Sequence, residues 1–115
     1  MARSSFGDIR VFVEVARRGG FRAAAEHLQQ APASVSEAIQ RFEDRLGVRL
    51  FERSSRSVVL TRAGEQLYDK SLPAIVDLEG ALETYQRAYR LSPGSATILQ
   101  EIVRLGFLLQ RNEIA

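Results

Sequence analysis

Apolar residues recur with a helical period through the first half of the chain, in three stripes separated by short polar or glycine-rich breaks. The first stripe consists of Ile9, Phe12, Val13 and Ala16. The second consists of Phe21, Ala24, Ala25 and Leu28, and the third of Val35, Ile39, Phe42 and Leu46. Spacings of three and four residues place each stripe on one face of an α-helix. Gly19-Gly20 ends the first helix, and the third begins at Pro32 and ends before Gly47.

After Gly47 the helical period gives way to short runs of β-prone residues. These runs cover residues 48–53 and 57–60, and they flank a polar turn at residues 54–56. Three short helices followed by a hairpin are typical of a winged helix-turn-helix, which presents its last helix to the DNA major groove. The sequence therefore predicts a mainly α fold: a winged helix-turn-helix of three helices and a two-stranded wing, followed by a long linker helix.

The linker helix, which Thr61 caps, carries apolar residues at heptad spacing. The heptad positions are Tyr68, Ser71, Ile75, Leu78, Leu82, Tyr85 and Tyr89. Such a stripe is too long to be buried against the winged helix-turn-helix (the headpiece) alone. We therefore expect a homodimer whose interface contains all of these residues except Ser71. Packing within one chain is the alternative. Ser92-Pro93-Gly94 ends the helix.

The predicted domains are a DNA-binding domain at residues 1–62, a linker and dimerisation helix at residues 63–91, and a short C-terminal tail at residues 92–115. The tail has the pattern of one more amphipathic helix.

Charge is unevenly distributed along the chain. Residues 1–62 hold eleven arginines and seven acids, a formal charge of +4, whereas residues 63–115 carry −2. A basic N-terminal part suits a polyanionic partner through phosphate contacts. The chain has fifteen arginines and one lysine. This bias fits bidentate phosphate binding, and a GC-rich coding sequence would explain it equally well.

Several classes of site are excluded or disfavoured by composition. The chain has no cysteine and a single histidine, His27, which excludes disulfides and cysteine or histidine metal clusters. We find no nucleophile–base pair and no Gly-rich phosphate loop, so we expect no catalytic residue, no cofactor and no enzyme activity. We interpret Glu43 as a structural cap or ion pair, and the acids of the N-terminal half as a solvated face. No apolar run reaches the roughly 18 residues of a membrane span, and we expect a cytoplasmic protein.

An ordered series of residues along positions 6–82 resembles the N-terminal part of the LysR-type transcriptional regulators. The matching residues are Phe21, Ala24, Ala25, Leu28, Pro32, Ala33, Ser34, Val35, Ser36, Ile39, Phe42, Glu43, Leu46, Gly47, Leu50, Phe51, Glu52, Arg53, Leu60, Thr61, Ala63 and Gly64. The resemblance implies a winged helix-turn-helix dimer, joined through antiparallel linker helices and bound to a partly symmetric operator in double-stranded DNA.

The resemblance also implies roles for single residues. Residues 32–36 would start the recognition helix, with Ser34 and Ser36 meeting base edges or phosphates. Arg53 would hold a phosphate from the wing, and Arg56 would reach the minor groove or its rim. From the polar face of the third helix alone, we expect Gln40 to read adenine and Arg41 to contact guanine or phosphate.

The chain departs from the family pattern in three places. Glu37 stands where the family usually has arginine or lysine. A glutamate at this position repels phosphate but can accept a hydrogen bond from a cytosine amino group. The family tends to have serine or threonine on both sides of the phenylalanine equivalent to Phe21, whereas this chain has Gly20 before it and Arg22 after it. We expect the family's effector-binding domain to be absent, and with it any small-molecule effector on this chain. The predicted DNA-binding residues are Arg22, Pro32, Ala33, Ser34, Ser36, Glu37, Gln40, Arg41, Arg53 and Arg56.

The function expected from these observations is a sequence-specific DNA-binding transcriptional regulator that acts as a homodimer on a partly palindromic operator. The alternative is a protein-interaction module whose linker helix forms mixed dimers with full-length relatives and inhibits them. The expected absence of an effector domain, together with Glu37, motivates this alternative.

Overall fold

A computed structural model describes residues 6–53 and 57–109 of the chain. Along these residues five helices follow one another: α1 Phe6–Arg18, α2 Phe21–Leu28, α3 Pro32–Leu46, α4 Arg62–Leu91 and α5 Ala96–Leu108. The chain divides into two compact units, Met1–Leu72 and Pro73–Ala115, with the boundary inside α4. The predicted mainly α architecture with a long fourth helix is therefore confirmed. Within the described ranges, no helix combines the length and apolar character that crossing a membrane requires.

Glycine and proline set the ends of the short helices, as the sequence indicates. Gly19 and Gly47 follow α1 and α3 with φ angles of 76° and 74°, in the left-handed region that glycine adopts without strain. The Gly47 N–H donates to the Glu43 carbonyl at 2.8 Å. Pro32 opens α3 as its first residue, where its missing N–H costs no helical hydrogen bond.

The core of the first unit is formed where α1, α2 and α3 meet. The Phe12 ring lies 6.4 Å from Phe42, 5.5 Å from Phe51 and 6.5 Å from Tyr68, measured between ring centroids. Ala24 and Ala25 are buried on α2, and their small side chains allow the neighbouring helices to approach closely. The other buried apolar residues of this unit are Val11, Val13, Val15, Leu28, Val35, Ala38, Ile39 and Leu50.

Leu46 is an exception to the predicted core. It continues the apolar stripe of α3 in the sequence, but 48% of it is exposed. The chain turns at Gly47 and returns along the Glu43 side of α3, where Leu50 and Phe51 are buried. This return segment packs Leu50 and Phe51 into the core and leaves Leu46, the last residue of the helix, at the surface.

The predicted two-stranded wing is not found as strands in the described residues. Phe51 and Leu60 form one isolated antiparallel bridge, and the Glu52 N–H donates to the Val59 carbonyl at 2.8 Å. The pairing ends on one side because Thr61 leads directly into α4. On that side the Leu50 N–H donates to the Glu43 carboxylate at 2.7 Å instead of to a neighbouring strand. The predicted turn at residues 54–56 lies outside the described residues.

Thr61 and Gly64 fix the start of α4 against the bridge. The Thr61 N–H donates to the Leu50 carbonyl at 3.0 Å, and the Thr61 hydroxyl donates to the Arg49 carbonyl at 2.7 Å. The same hydroxyl accepts from the Gly64 N–H at 3.0 Å, as a helix cap does. A Cβ atom on Gly64 would lie 2.2 Å from the Leu50 carbonyl oxygen. The absence of a side chain at position 64 therefore permits this close approach.

Two acids of the N-terminal half are buried, so interpreting all its acids as a solvated face is wrong. Glu14 is fully buried, and its carboxylate accepts from Arg10 on the same helix. It also accepts from Arg17 at 2.9 Å and from Arg18 at 2.8 Å. Burial by itself raises the pKa of Glu14. The Arg18 hydrogen bond and the charges of Arg10, His27 and Arg17 outweigh it and leave the pKa below its usual value. The second buried acid is Glu43.

In the second unit, α5 begins with a capped turn, because the Ser95 hydroxyl accepts from the Ile98 N–H at 3.2 Å. The buried apolar residues of this unit are Ile75, Leu82, Ile102, Leu105 and Leu109. The pKa of Arg104 on α5 is raised, first by its hydrogen bond to Glu101 and also by Tyr85 of α4.

Candidate nucleic-acid interface

One face of α3 is polar and exposed along its whole length. Val35, Ile39 and Phe42 bury the opposite face in the core. At about 100° per residue, Glu37, Gln40 and Arg41 share the outward face, with Ser34 and Ser36 at its two edges. All seven residues predicted on this helix are exposed: Pro32, Ala33, Ser34, Ser36, Glu37, Gln40 and Arg41. The structure thus brings them together on one accessible surface.

The beginning of α3 offers backbone donors. Ala31 precedes the helix, and among the described residues no side chain caps its first turn. The N–H groups at positions 33 and 34 therefore have no partner within the helix, because the first turn of an α-helix leaves its donors unpaired. These donors and the positive end of the helix dipole suit a phosphate group.

Acids on the outward face of α3 restrict what it can bind. The Gln40 amide donates to the Asp44 carboxylate at 3.1 Å, so a bidentate contact between Gln40 and adenine requires that hydrogen bond to break. Glu37 lies on the same face and repels phosphate. A carboxylate in the major groove accepts from the cytosine amino group, so this face is better suited to base edges than to the phosphate backbone.

The predicted phosphate contacts come from other parts of the chain. Arg22 is exposed on α2. Arg53 follows the bridge, pairs with Glu43 and keeps 42% of its side chain exposed. The Arg49 Nη1 atom lies 3.8 Å from the Glu43 Oε1 atom, and 58% of the Arg49 side chain is exposed. Arg56 lies outside the described residues.

Sequence reasoning missed Arg49 and assigned Glu43 only a cap or an ion pair. The position of Glu43 contained a usable signal: it lies four residues after Ile39, at the edge of the buried stripe of α3. An acid at such a position needs partners, because a buried carboxylate is stable only when it is paired or hydrogen-bonded. The arginines on the segment that follows Gly47 provide them.

The residues predicted to form a dimer interface are not equally accessible. Ile75 and Leu82 are only 1% exposed within the single chain, whereas Tyr68, Leu78, Tyr85 and Tyr89 are half-buried. A helix cannot bury its own side chains this completely, so other parts of the chain cover Ile75 and Leu82. The half-buried members of the stripe are the ones that a second chain can reach without rearrangement.

Comparison with known proteins gives consistent matches over the headpiece and part of the linker. A sequence profile described as "Bacterial regulatory helix-turn-helix protein, lysR family" matches residues 6–65. The uncharacterised HTH-type transcriptional regulator y4mQ of Sinorhizobium fredii is 48% identical over 80 residues, 70% of this chain and 27% of that protein. The uncharacterised regulator YcaN of Escherichia coli is 38% identical over 91 residues, 79% of this chain and 30% of that protein. The chain therefore spans less than a third of the length of either relative.

Solved structures show the same fold. The complex of BenM_DBD with catB site 1 DNA matches with a TM-score of 0.64 and 30% identity, over 73% of this chain and 93% of that one. The oxidized form of OxyR from Corynebacterium glutamicum matches with a TM-score of 0.63 and 35% identity, over 72% of this chain and 27% of that one.

Proposed function

Because the chain belongs to the LysR family of bacterial regulatory helix-turn-helix proteins, we propose that it is a sequence-specific DNA-binding headpiece that acts as a homodimer on a partly palindromic operator. The observation that carries this proposal is the exposed polar face of α3, whose opposite face is fixed in the core. The similarity to BenM_DBD, which was solved in complex with DNA, supports it.

In this proposal α3 enters the major groove with its outward face toward the bases. Gln40 and Glu37 read base edges, Ser34 and Ser36 meet base edges or phosphates, and the first N–H groups of α3 approach a phosphate. Arg22 and Arg53 contact the phosphate backbone on either side of the helix. Such phosphate contacts fix the orientation of the protein, while the base contacts provide specificity.

A dimer is part of the proposal because one headpiece binds a small site weakly. A single DNA-binding module buries about 600–1,000 Å², and two copies on one duplex roughly double that area. Two-fold symmetry of the protein then matches two half-sites in the operator. We propose that the half-buried residues Leu78, Tyr85 and Tyr89 on the stripe of α4 form the contact between the copies.

Enrichment of duplexes from a randomised pool tests the proposed function. We expect the wild-type chain to enrich a partly palindromic sequence. Fluorescence anisotropy should then show that the enriched duplex binds more tightly than a duplex of the same composition with scrambled sequence. Affinity for both should fall as salt is added, because bound arginines release counterions from the phosphates. A wild-type chain that enriches no sequence and shows no salt-dependent binding would contradict the proposal.

Leu78→Asp is expected to weaken both self-association and binding to the enriched duplex by about tenfold or more, because it places a charge in the proposed apolar contact. Val76→Asp is the matched control: 46% of Val76 is exposed, and it lies about 200° around α4 from Leu78. Sedimentation measures the association and anisotropy measures the binding, with melting curves to show that both variants fold. Equal behaviour of the two variants would argue against this dimer contact.

A further inference from the structure

Glu43 joins the recognition helix to the arginine that follows the bridge. It lies on α3, is only 3% exposed, and its Oε2 atom accepts from the N–H groups of Leu50 and Phe51 at 2.7 and 3.2 Å. Its Oε1 atom accepts a hydrogen bond from the Arg53 guanidinium. The Glu43 carbonyl also accepts from Gly47 and Val48 at 2.8 and 3.3 Å. One residue of α3 therefore holds both the turn after the helix and the Arg53 side chain.

We infer that Glu43 is a positioning residue for DNA binding: it sets where the Arg53 guanidinium stands relative to the exposed face of α3. The inference rests on the proposed function, and it adds a role beyond that of a helix cap or a structural ion pair. Glu43 does not itself touch DNA, since it is buried. It acts through Arg53, which keeps 42% of its side chain exposed.

The geometry favours a role of Glu43 in positioning the Arg53 side chain over simple neutralisation of the Arg53 charge. Arg53 keeps 42% of its side chain exposed, and a long exposed side chain without a fixed partner would sample many rotamers. A carboxylate that is fixed by two backbone donors cannot follow those movements, so it holds the guanidinium in place. Ordering the side chain before DNA binds removes part of the entropy cost of the contact. The guanidinium has five N–H donors, and a single hydrogen bond to Glu43 uses only one of them.

A purely electrostatic role makes the opposite prediction. The negative charge of Glu43 lowers the attraction between this segment and any phosphate, so its removal alone would strengthen binding to all DNA. Positioning instead requires that removal of the charge weakens binding to the preferred site. The two readings therefore differ in the sign of the effect.

The test compares Glu43→Gln and Glu52→Gln in the full chain. The glutamine at position 43 retains a carbonyl oxygen for the Leu50 and Phe51 N–H groups but loses the ion pair with Arg53. Glu52 is exposed beside Arg53, so its substitution makes the same change in net charge without disturbing the pair. The probes are the duplex that the wild-type chain enriches and its scrambled counterpart, measured by anisotropy at temperatures where melting curves show each variant folded.

We expect Glu43→Gln to weaken binding to the enriched and the scrambled duplex alike, by about tenfold as the loss of one charge-assisted hydrogen bond would, because Arg53 is a proposed phosphate contact and such contacts do not depend on sequence. Glu52→Gln should leave both affinities unchanged or slightly higher. In an Arg53→Ala background, Glu43→Gln should change the affinity less than about twofold, because a residue that acts through Arg53 has no effect without it.

Two results would overturn the inference. In one, Glu43→Gln strengthens binding as Glu52→Gln does. In the other, it weakens binding equally with and without Arg53, as a general structural defect would. If Glu43→Gln does not fold, Arg53→Lys replaces it, because lysine keeps the charge but loses the planar fork. If Arg53→Lys binds the enriched duplex as tightly as wild type does, the inference about Glu43 is also overturned. A wild-type chain that enriches no duplex contradicts the proposed function itself, and the Glu43 inference falls with it.

Discussion

Replacing Glu14 with glutamine is expected to lower the free energy of unfolding by about 3–5 kcal/mol, the usual cost of removing one partner from a buried ion pair. Arg10 is only 1% exposed and donates to the Glu14 carboxylate. Without the carboxylate, the buried Arg10 charge would lose this ionic partner. Arg17 and Arg18 would lose the same charged acceptor, so one substitution disturbs three arginines. Urea denaturation at neutral pH measures the loss.

Two further variants separate the loss of this buried ion pair from a general sensitivity of the headpiece to the removal of any acid. Glu26→Gln removes an exposed acid from α2 and should change the stability by no more than about 0.5 kcal/mol. The double variant Arg10→Met with Glu14→Leu removes both buried charges and should recover a large part of the loss. If Glu14→Gln is as mild as Glu26→Gln, the buried pair does not stabilise the fold as proposed.

The pH dependence of this effect follows from the lowered pKa of Glu14. Because the folded-state pKa lies below the unfolded-state value near 4.5, the ionised carboxylate contributes its full stabilisation above that value. The contribution falls as the pH drops through the lower folded-state pKa. The difference in stability between wild type and Glu14→Gln should therefore be largest near neutral pH and shrink in acid. A difference that stays constant down to strongly acidic pH would contradict this assignment.

Gly64→Ala is expected to destabilise the protein by about 3 kcal/mol, at the upper end of the range for overpacking. The added Cβ would lie 2.2 Å from the Leu50 carbonyl oxygen, which already accepts from the Thr61 N–H at 3.0 Å. Backbone atoms at this point cannot move without breaking that hydrogen bond. The clash should exceed the roughly 1 kcal/mol that alanine gains over glycine inside a helix. Thermal or urea denaturation of the full chain measures the net change.

Gly80→Ala is the matched control for this substitution. Gly80 lies in the same helix, and a Cβ there would meet no atom within 4 Å among the described residues. The same chemical change should therefore stabilise the protein by up to about 1 kcal/mol. Opposite signs at positions 64 and 80 would show that the contact with Leu50 decides the outcome. A stabilising Gly64→Ala would mean that α4 does not start against the Leu50 carbonyl.

Local signals in the sequence were sufficient for the helices and for the exposed face of α3. Pro32 and Gly47 act through their own backbone preferences, so the limits of α3 could be predicted without knowledge of the rest of the fold. The resemblance to the LysR-type regulators is likewise confirmed by the matched profile over residues 6–65. Both depend on residues that are close together in the chain.

The features that the sequence did not predict depend on contacts between distant residues. Glu43 binds Arg53 ten positions further on and the N–H groups of the segment between them, which no local pattern reveals. The burial of Ile75 and Leu82 within a single chain depends on how other segments pack on α4. The heptad indicates only that these residues lie on an apolar face, and it does not show which segment buries that face. Leu46 follows the helical period and is still exposed, because the chain turns away at Gly47.

Parallel enrichment with wild type, Gln40→Ala and Arg22→Ala shows whether the outward face of α3 reads DNA bases. Gln40 lies on the proposed reading face, and alanine preserves the helix. Arg22 lies on α2 as a proposed phosphate contact. Gln40→Ala should relax the preference at one or two base positions in each half-site, whereas Arg22→Ala should weaken binding to all sequences and keep the preferences. Base preferences that are identical for wild type and Gln40→Ala would show that this face of α3 does not read bases through Gln40.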